Sequence, residues 1–210
     1  MIKSVVELLN SVSYEKRPPE DWKEMIIKSI YKNKGSQLDM KNRRGLFLTD
    51  VISKVFEKLI SARNEKQTQK TMSRYQSGGI KNRSTIDHVM TMMAIIDKNL
   101  YLKRPTFLVF ADAEKCFDKL WLKDGIKDLW KAGTRTDDAY MIYKMNEKAN
   151  AQIDTPIGKT DPIELQEIVR QGTIYGPKIC GTSTDKINKI GKKSVTMYSP
   201  NIEIEKPDLC

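Results

Sequence analysis

Apolar and polar positions along this chain switch between a helical and a strand period, and the switches mark its elements. Residues 24–31, EMIIKSIY, form a short apolar run that closes into KNKGS, the pattern of a strand entering a Lys- and Gly-bearing turn. From Thr49 onward Val51, Ile52, Val55, Phe56 and Leu59 recur at helical spacing, with Thr49 or Asp50 as N-cap, which predicts a helix over 50–62 whose stripe faces the core. A polar, basic, glycine-bearing stretch, NEKQTQKTMSRYQSGGIKNR, then leads to Ser84 and, three residues on, Asp87. That pair is a capping arrangement opening the helix STIDHVMTMMAIIDKNL, with Ile86, Val89, Met90, Met93, Ile96 and Leu100 on its apolar face and the methionines as core filling. Pro105 stops this helix, and TFLVFA follows as a continuous apolar strand of the kind buried on both faces, with Asp112 at its carboxyl end.

Further on, a helix is predicted over 122–132, stopping at Gly133, and DDAYMIYKMNEKA reads as another. AQIDTPIGKTDPIELQEI alternates like two strands around GKTD and predicts a β-hairpin; VRQGTIYGPKICG is a glycine-bearing turn feeding a helix near 177–189. The last twenty residues are Lys-rich and then strand-like. Trp22, Trp121 and Trp130 are expected in the core or at a subdomain junction, and His88, beside Ile86 and Val89, as a packed or surface residue and not a catalytic base. No repeat or low-complexity linker divides the chain, so the expected class is a single α+β unit with subdomains.

Composition narrows the function classes. With 210 residues, 39% hydrophobic and 30% charged, the chain can bury a sizeable core. No apolar run reaches the roughly 18–20 residues a membrane helix needs, and the N-terminus has too short an apolar stretch for a secretory signal. The expectation is a soluble intracellular protein without a membrane partner. Cys116, Cys180 and Cys210 are odd in number and widely spaced beside a single histidine, which supports neither a disulfide framework nor a zinc site. The net charge of +10 favours polyanions if the basic residues share a face; dispersed, they are simply solvated.

A carboxylate at the end of a buried strand is suited to a hard cation that carries phosphate. Magnesium keeps several waters and needs only one or two carboxylates plus the substrate's phosphates, so Asp112 is a candidate ligand; the same residue type also forms ordinary turns.

Four stretches carry a resemblance. LVFADAEKCFDKL resembles the first catalytic motif of reverse transcriptases of non-long-terminal-repeat (LINE-type) retrotransposons, with Asp112 at the metal-binding aspartate and Lys115, Phe117 and Asp118 in the tail; Cys116 replaces the usual alanine. NRRGLFLTDVISKVFEKLI resembles their fingers motif, with Arg43 where tyrosine is commonest, and YQSGGIKNRSTIDHV a further motif, with Gly79 replacing an aromatic residue. VRQGTIYGPKIC is similar to the motif Arg-Gln-Gly followed by Ser-Pro or Gly-Pro, and the four occur in the family's order.

The resemblance implies a right-hand polymerase, α+β, with fingers over about 1–105 and palm over about 106–210, that extends a primer on an RNA template. By the same resemblance Asp112, with the Ala113 carbonyl, would hold two Mg2+ ions that align the primer hydroxyl with the α-phosphate of the incoming dNTP. Arg44, with Lys32 or Lys34, would hold the triphosphate. Phe117 is either the side chain beneath the incoming sugar or a core aromatic. Gln171 and Gly172 would lie near the nascent base pair, glycine permitting close backbone approach or simply forming a turn. Lys81 and Arg83 would approach the template backbone, and Asp118 is read as structural, paired with a lysine. These enzymes carry further carboxylates on a later aromatic-x-Asp-Asp hairpin, whereas the only adjacent pair here is Asp137-Asp138, ahead of Gln171. The expectation is therefore a reverse transcriptase truncated before that motif and inactive alone, with a non-catalytic basic nucleic-acid-binding remnant as the alternative.

Overall fold

The computed structural model describes residues 2–110, 116–165 and 169–194, without the side chains of Cys116, Asp118 and 187–194. Strand β1, Glu24–Tyr31, has the predicted bounds and pairs antiparallel with β2, Arg43–Thr49, in a register running from Met25 opposite Thr49 to Tyr31 opposite Arg43. On its other side β1 runs parallel to β3, Ala149–Thr155, which carries β4, Gly158–Lys159, and β5, Ile163–Leu165, antiparallel to it. The hairpin predicted around GKTD is thus present, and β2 is an edge strand. Period-2 alternation sorts the faces: Met25, Thr49, Ala149 and Ala151 are buried, while Lys28 and Asp154 pair on the other face at 3.3 Å.

Seven helices are described. Helix α1, Ile2–Glu15, contributes Leu9 and Val12 to the core, and a 3-10 turn at Glu20–Lys23 delivers the buried Trp22. Helix α2, Val51–Thr71, starts on the predicted cap, where the Asp50 carboxylate accepts from Ser53 N at 2.7 Å. It is longer than the expected 50–62 and is rotated from the expected stripe. Val51, Val55 and Leu59 are exposed, and the buried line is Ser53, Phe56, Glu57, Ile60, Asn64 and Thr68. Of the expected stripe Phe56 is in the core and Ile52 packs against it; the rest fails because periodicity fixes a face only relative to the residues counted as apolar, and four polar side chains that find buried partners move the contact face around the helix. Helices α5, Leu122–Lys131, α6, Thr136–Asn146, and α7, Gly176–Ser194, match their predicted positions, with Gly133 at φ +97° just past α5. The short α4, Cys116–Lys119, precedes them. Leu129, Met141, Ile142, Met145 and Ile179 close the core against Phe56 and Ile60, and Trp22 meets Phe56 with ring centroids 5.5 Å apart. Of the three tryptophans only Trp22 is in this core; Trp121 and Trp130 are exposed, their helix turning Leu122 and Leu129 inward instead.

Helix α3, Thr85–Tyr101, has the expected capping box: Ser84 Oγ accepts from Ile86 N, and the Asp87 carboxylate accepts from Ser84 N. Its burial departs from expectation. No residue of α3 is buried, and Met90 and Met93 stand more than half exposed, so they are not core filling. The expected buried strand TFLVFA is likewise corrected over residues 106–110, which form no strand, with Phe107, Val109 and Phe110 more than four-fifths exposed. A strand needs neighbouring ladders to bond its N–H and C=O groups, and β1 to β5 make no pairing with this segment. Among the described residues no helix is long and apolar enough to cross a membrane.

Candidate functional site

The segment from Val169 to Gly176 is a tight turn that enters α7, and Pro177 at the helix start costs no intrahelical hydrogen bond. Gly172 sits at φ +81°, and a Cβ added there would lie 2.5 Å from the Phe47 carbonyl oxygen. Only glycine fits, because both the left-handed backbone and the approach to β2 exclude a side chain. The turn therefore docks on the edge of β2; Thr49 Oγ1 also donates to Gly172 O at 3.5 Å. Thr173 Oγ1 braces the turn by accepting from Gly176 N at 3.0 Å and donating to Arg170 O at 3.2 Å.

Two buried ionisable side chains grip this turn. Glu57 Oε2, from α2, accepts from Ile174 N at 2.5 Å and Tyr175 N at 3.2 Å. Arg170 donates from Nε to Asn146 Oδ1 at 3.0 Å and from Nη1 to Trp22 O at 2.8 Å. Both residues are 1% exposed, and among the described residues Glu57 Oε1 and Arg170 Nη2 each find no hydrogen-bond partner. An orphaned buried polar atom costs on the order of 1–3 kcal/mol. Burial pushes the Glu57 carboxyl up, with the Arg170 guanidinium and the two backbone N–H groups pulling it back; burial lowers Arg170 to about 10, still charged at neutral pH.

The triphosphate candidates occupy the β1–β2 end of the sheet. Arg44 is exposed on β2 opposite Ile30 and shares a face with Leu46 and Leu48, also exposed. Arg43 lies on the alternate face, where its guanidinium donates to Ser29 Oγ at 2.6 Å and Gln37 O at 3.1 Å. Lys32 and Lys34 lie in the exposed β1–β2 turn, with Lys32 Nζ donating to Lys41 O at 2.9 Å. Gln171 is half-buried and Gly172 exposed. Phe117 is half-buried, packed against the core beside Gly176.

A second cluster lies along α2. Lys66, Gln69, Lys70, Ile80, Lys81, Asn82 and Arg83 line an open groove of about 490 Å³. Lys81 is exposed there, whereas Arg83 turns its guanidinium to the carbonyl oxygens of Ser73 and Gln76. Beside it a cleft of about 220 Å³ lies between α2, the Gly78–Lys81 turn and α7. Lys178, in its wall, donates to Ser61 Oγ and sits 5.5 Å from the Tyr175 ring centroid. Burial holds its ammonium below the usual lysine range, with Glu65 pulling the other way.

Asp112 and Ala113 lie outside the described residues, as does the Asp118 side chain. Among the described residues no three His, Cys, Asp or Glu side chains converge as metal ligands. Asp138, in the one Asp-Asp pair, is buried at the start of α6, where it accepts from Asn64 Nδ2 at 2.7 Å and Arg63 Nη1 at 3.0 Å. It is occupied as a structural acceptor. Glu57 and Arg170 were not singled out from the sequence; the available signal was a glutamate next to Phe56 on a helix that must bury one face.

No curated protein matches this sequence. The family model described as reverse transcriptase (RNA-dependent DNA polymerase) matches residues 30–199, a stretch that begins at the end of β1 and takes in β2, the Gly172 turn and α7. The chain belongs to the reverse transcriptase family, RNA-dependent DNA polymerases by descent.

Proposed function

We propose that these residues carry the fingers (about 1–105) and part of the palm (about 106–210) of a non-long-terminal-repeat retrotransposon reverse transcriptase, a nucleotidyl transferase that binds an RNA template, a DNA primer and dNTPs. The observation that supports it best is the docking of Gly172 on the β2 edge at Phe47, three residues from Arg44. Two motifs far apart in sequence thereby share one end of the molecule. In this reading Arg44, assisted by Lys32 and Lys34, neutralises the triphosphate, since an exposed guanidinium can bond phosphate oxygens in pairs. The Gln171–Gly172 backbone lies under the nascent pair, where a side chain at Gly172 would obstruct, and Phe117 lies beneath the sugar. Lys81 and Arg83 follow the template backbone. Asp112 and the Ala113 carbonyl would hold Mg2+, which would supply charge neutralisation at the transferring phosphate.

By themselves these 210 residues do not polymerise, because Asp138 is engaged by Arg63 and Asn64 and no other adjacent aspartate pair exists in them. A magnesium-dependent primer-extension assay, run beside Asp112→Ala, tests this. No Asp112-dependent product is expected, and robust Asp112-dependent synthesis would overturn the claim of inactivity.

A second reading, a non-catalytic nucleic-acid-binding remnant, is favoured by the lysine-lined groove along α2. It predicts RNA affinity that falls steeply with salt, as expected when phosphates displace counterions. A flat response from low to high salt would count against it.

A further inference from the structure

We propose that Glu57 and Arg170 are positioning residues which together set the Gln171–Gly172 backbone against β2 in the conformation that receives an incoming nucleoside triphosphate. The inference rests on the nucleotide-site reading of Gln171 and Gly172, and adds two residues that never touch the ligand. They grip the turn at its two ends: Arg170 anchors the entry to Asn146 and to the Trp22 carbonyl, and Glu57 anchors the exit through Ile174 N and Tyr175 N. Between those anchors Gly172 is exposed and Gln171 half-buried, so the surface that Gly172 presents to a ligand has its backbone held from both sides.

The chemistry chosen argues for geometry over stability. Glu57 and Arg170 influence each other electrostatically, and buried groups of opposite charge are often no better for stability than well-packed apolar residues of the same volume. Here one polar atom of each, Glu57 Oε1 and Arg170 Nη2, also finds no hydrogen-bond partner among the described residues. What a carboxylate offers and a methyl group cannot is an acceptor shared by two successive backbone N–H groups just ahead of α7. What the guanidinium adds is a forked donor, fixed by a side chain from α6 and a carbonyl from the 3-10 turn. These hydrogen bonds thereby specify one turn conformation, which lowers the ordering cost of binding.

The test compares the full 210-residue chain with Glu57→Gln and with the double variant Glu57→Met/Arg170→Met. Amide hydrogen exchange is read over 170–176 and, as a control for global opening, over α5 and α6. Affinity is read with the fluorescent probe 2-aminopurine deoxyriboside triphosphate in magnesium buffer. In Glu57→Gln, exchange at Ile174 and Tyr175 should accelerate at least tenfold beyond any change in α5 and α6, and triphosphate affinity should fall about tenfold. The double variant should regain denaturant resistance while its affinity stays about tenfold low. Affinity that returns with stability would make the pair merely structural and overturn the proposal, as would unchanged protection of the turn in Glu57→Gln. If the unmodified chain fails to bind the probe, the nucleotide-site reading falls, and turn protection alone decides whether the couple positions the turn.

Discussion

Single residues carry the sharpest constraints in this molecule. Gly172 combines φ +81° with backbone contact at Phe47. Gly172→Ala is expected to destabilise by more than about 1 kcal/mol, seen as a lower urea midpoint, and to weaken triphosphate binding by lifting the turn off β2. Asp138 presents the other kind of constraint. Asp138→Ala removes an acceptor from the buried Asn64 and from Arg63, and should cost about 1–3 kcal/mol. Lys178 gives a pH signature. Burial lowers its folded-state pKa, so the unfolded chain binds more protons through the window between that lowered value and the ordinary lysine value, and stability rises with pH there. Urea midpoints measured from neutral to alkaline pH should show this rise, and Lys178→Met should flatten it. None of these three roles can be read from residue type alone, because a glycine, an aspartate and a lysine in polar stretches have ordinary surface explanations.

At the scale of elements, sequence and structure part most clearly over methionine. Met141 and Met145 on α6 are at most 2% exposed, while Met90 and Met93 on α3 are more than half exposed, although both helices show apolar residues at helical spacing. Met145→Ala should therefore cost about 2–5 kcal/mol through the cavity it leaves. Met93→Ala should stay within about 0.5 kcal/mol. Equal losses for the two would show that α3 is packed in solution. The capping box that starts α3 was legible because it is local: Ser84 and Asp87 bond backbone groups within one turn. Which face of the helix meets a neighbour is decided by distant segments, and spacing does not encode them.

Across the whole molecule, the basic excess takes on a shape. The net charge of +10 gains a face where Lys66, Lys70 and Lys81 line one groove. Replacing all three with alanine should weaken RNA binding about equally across sequences and lower the salt slope by about 0.7 per lysine for a single strand. An unchanged slope would move the polyanion surface elsewhere. Of the candidate site, Arg44, Gln171 and Gly172 were legible as motif positions, whereas Glu57 was not, because a glutamate in a helix ordinarily points to water. Its partner Arg170 lies in another motif, and their juxtaposition exists only once α2 packs against the turn before α7.

The sequence by itself determined what short-range chemistry controls. It set the bounds of β1, the Asp50 and Ser84 caps, the stop at Gly133 and the hairpin beyond α6, each governed by φ preferences or by bonds spanning a few residues. Only the tertiary structure decided which face of α2 is buried, that Trp121 and Trp130 stay in solvent, and that residues 106–110 pair with none of the described strands. It also decided that the Gly172 turn lies on β2. Burial and sheet pairing depend on neighbours far along the chain, and a periodic pattern names a side chain's character without naming what it will touch.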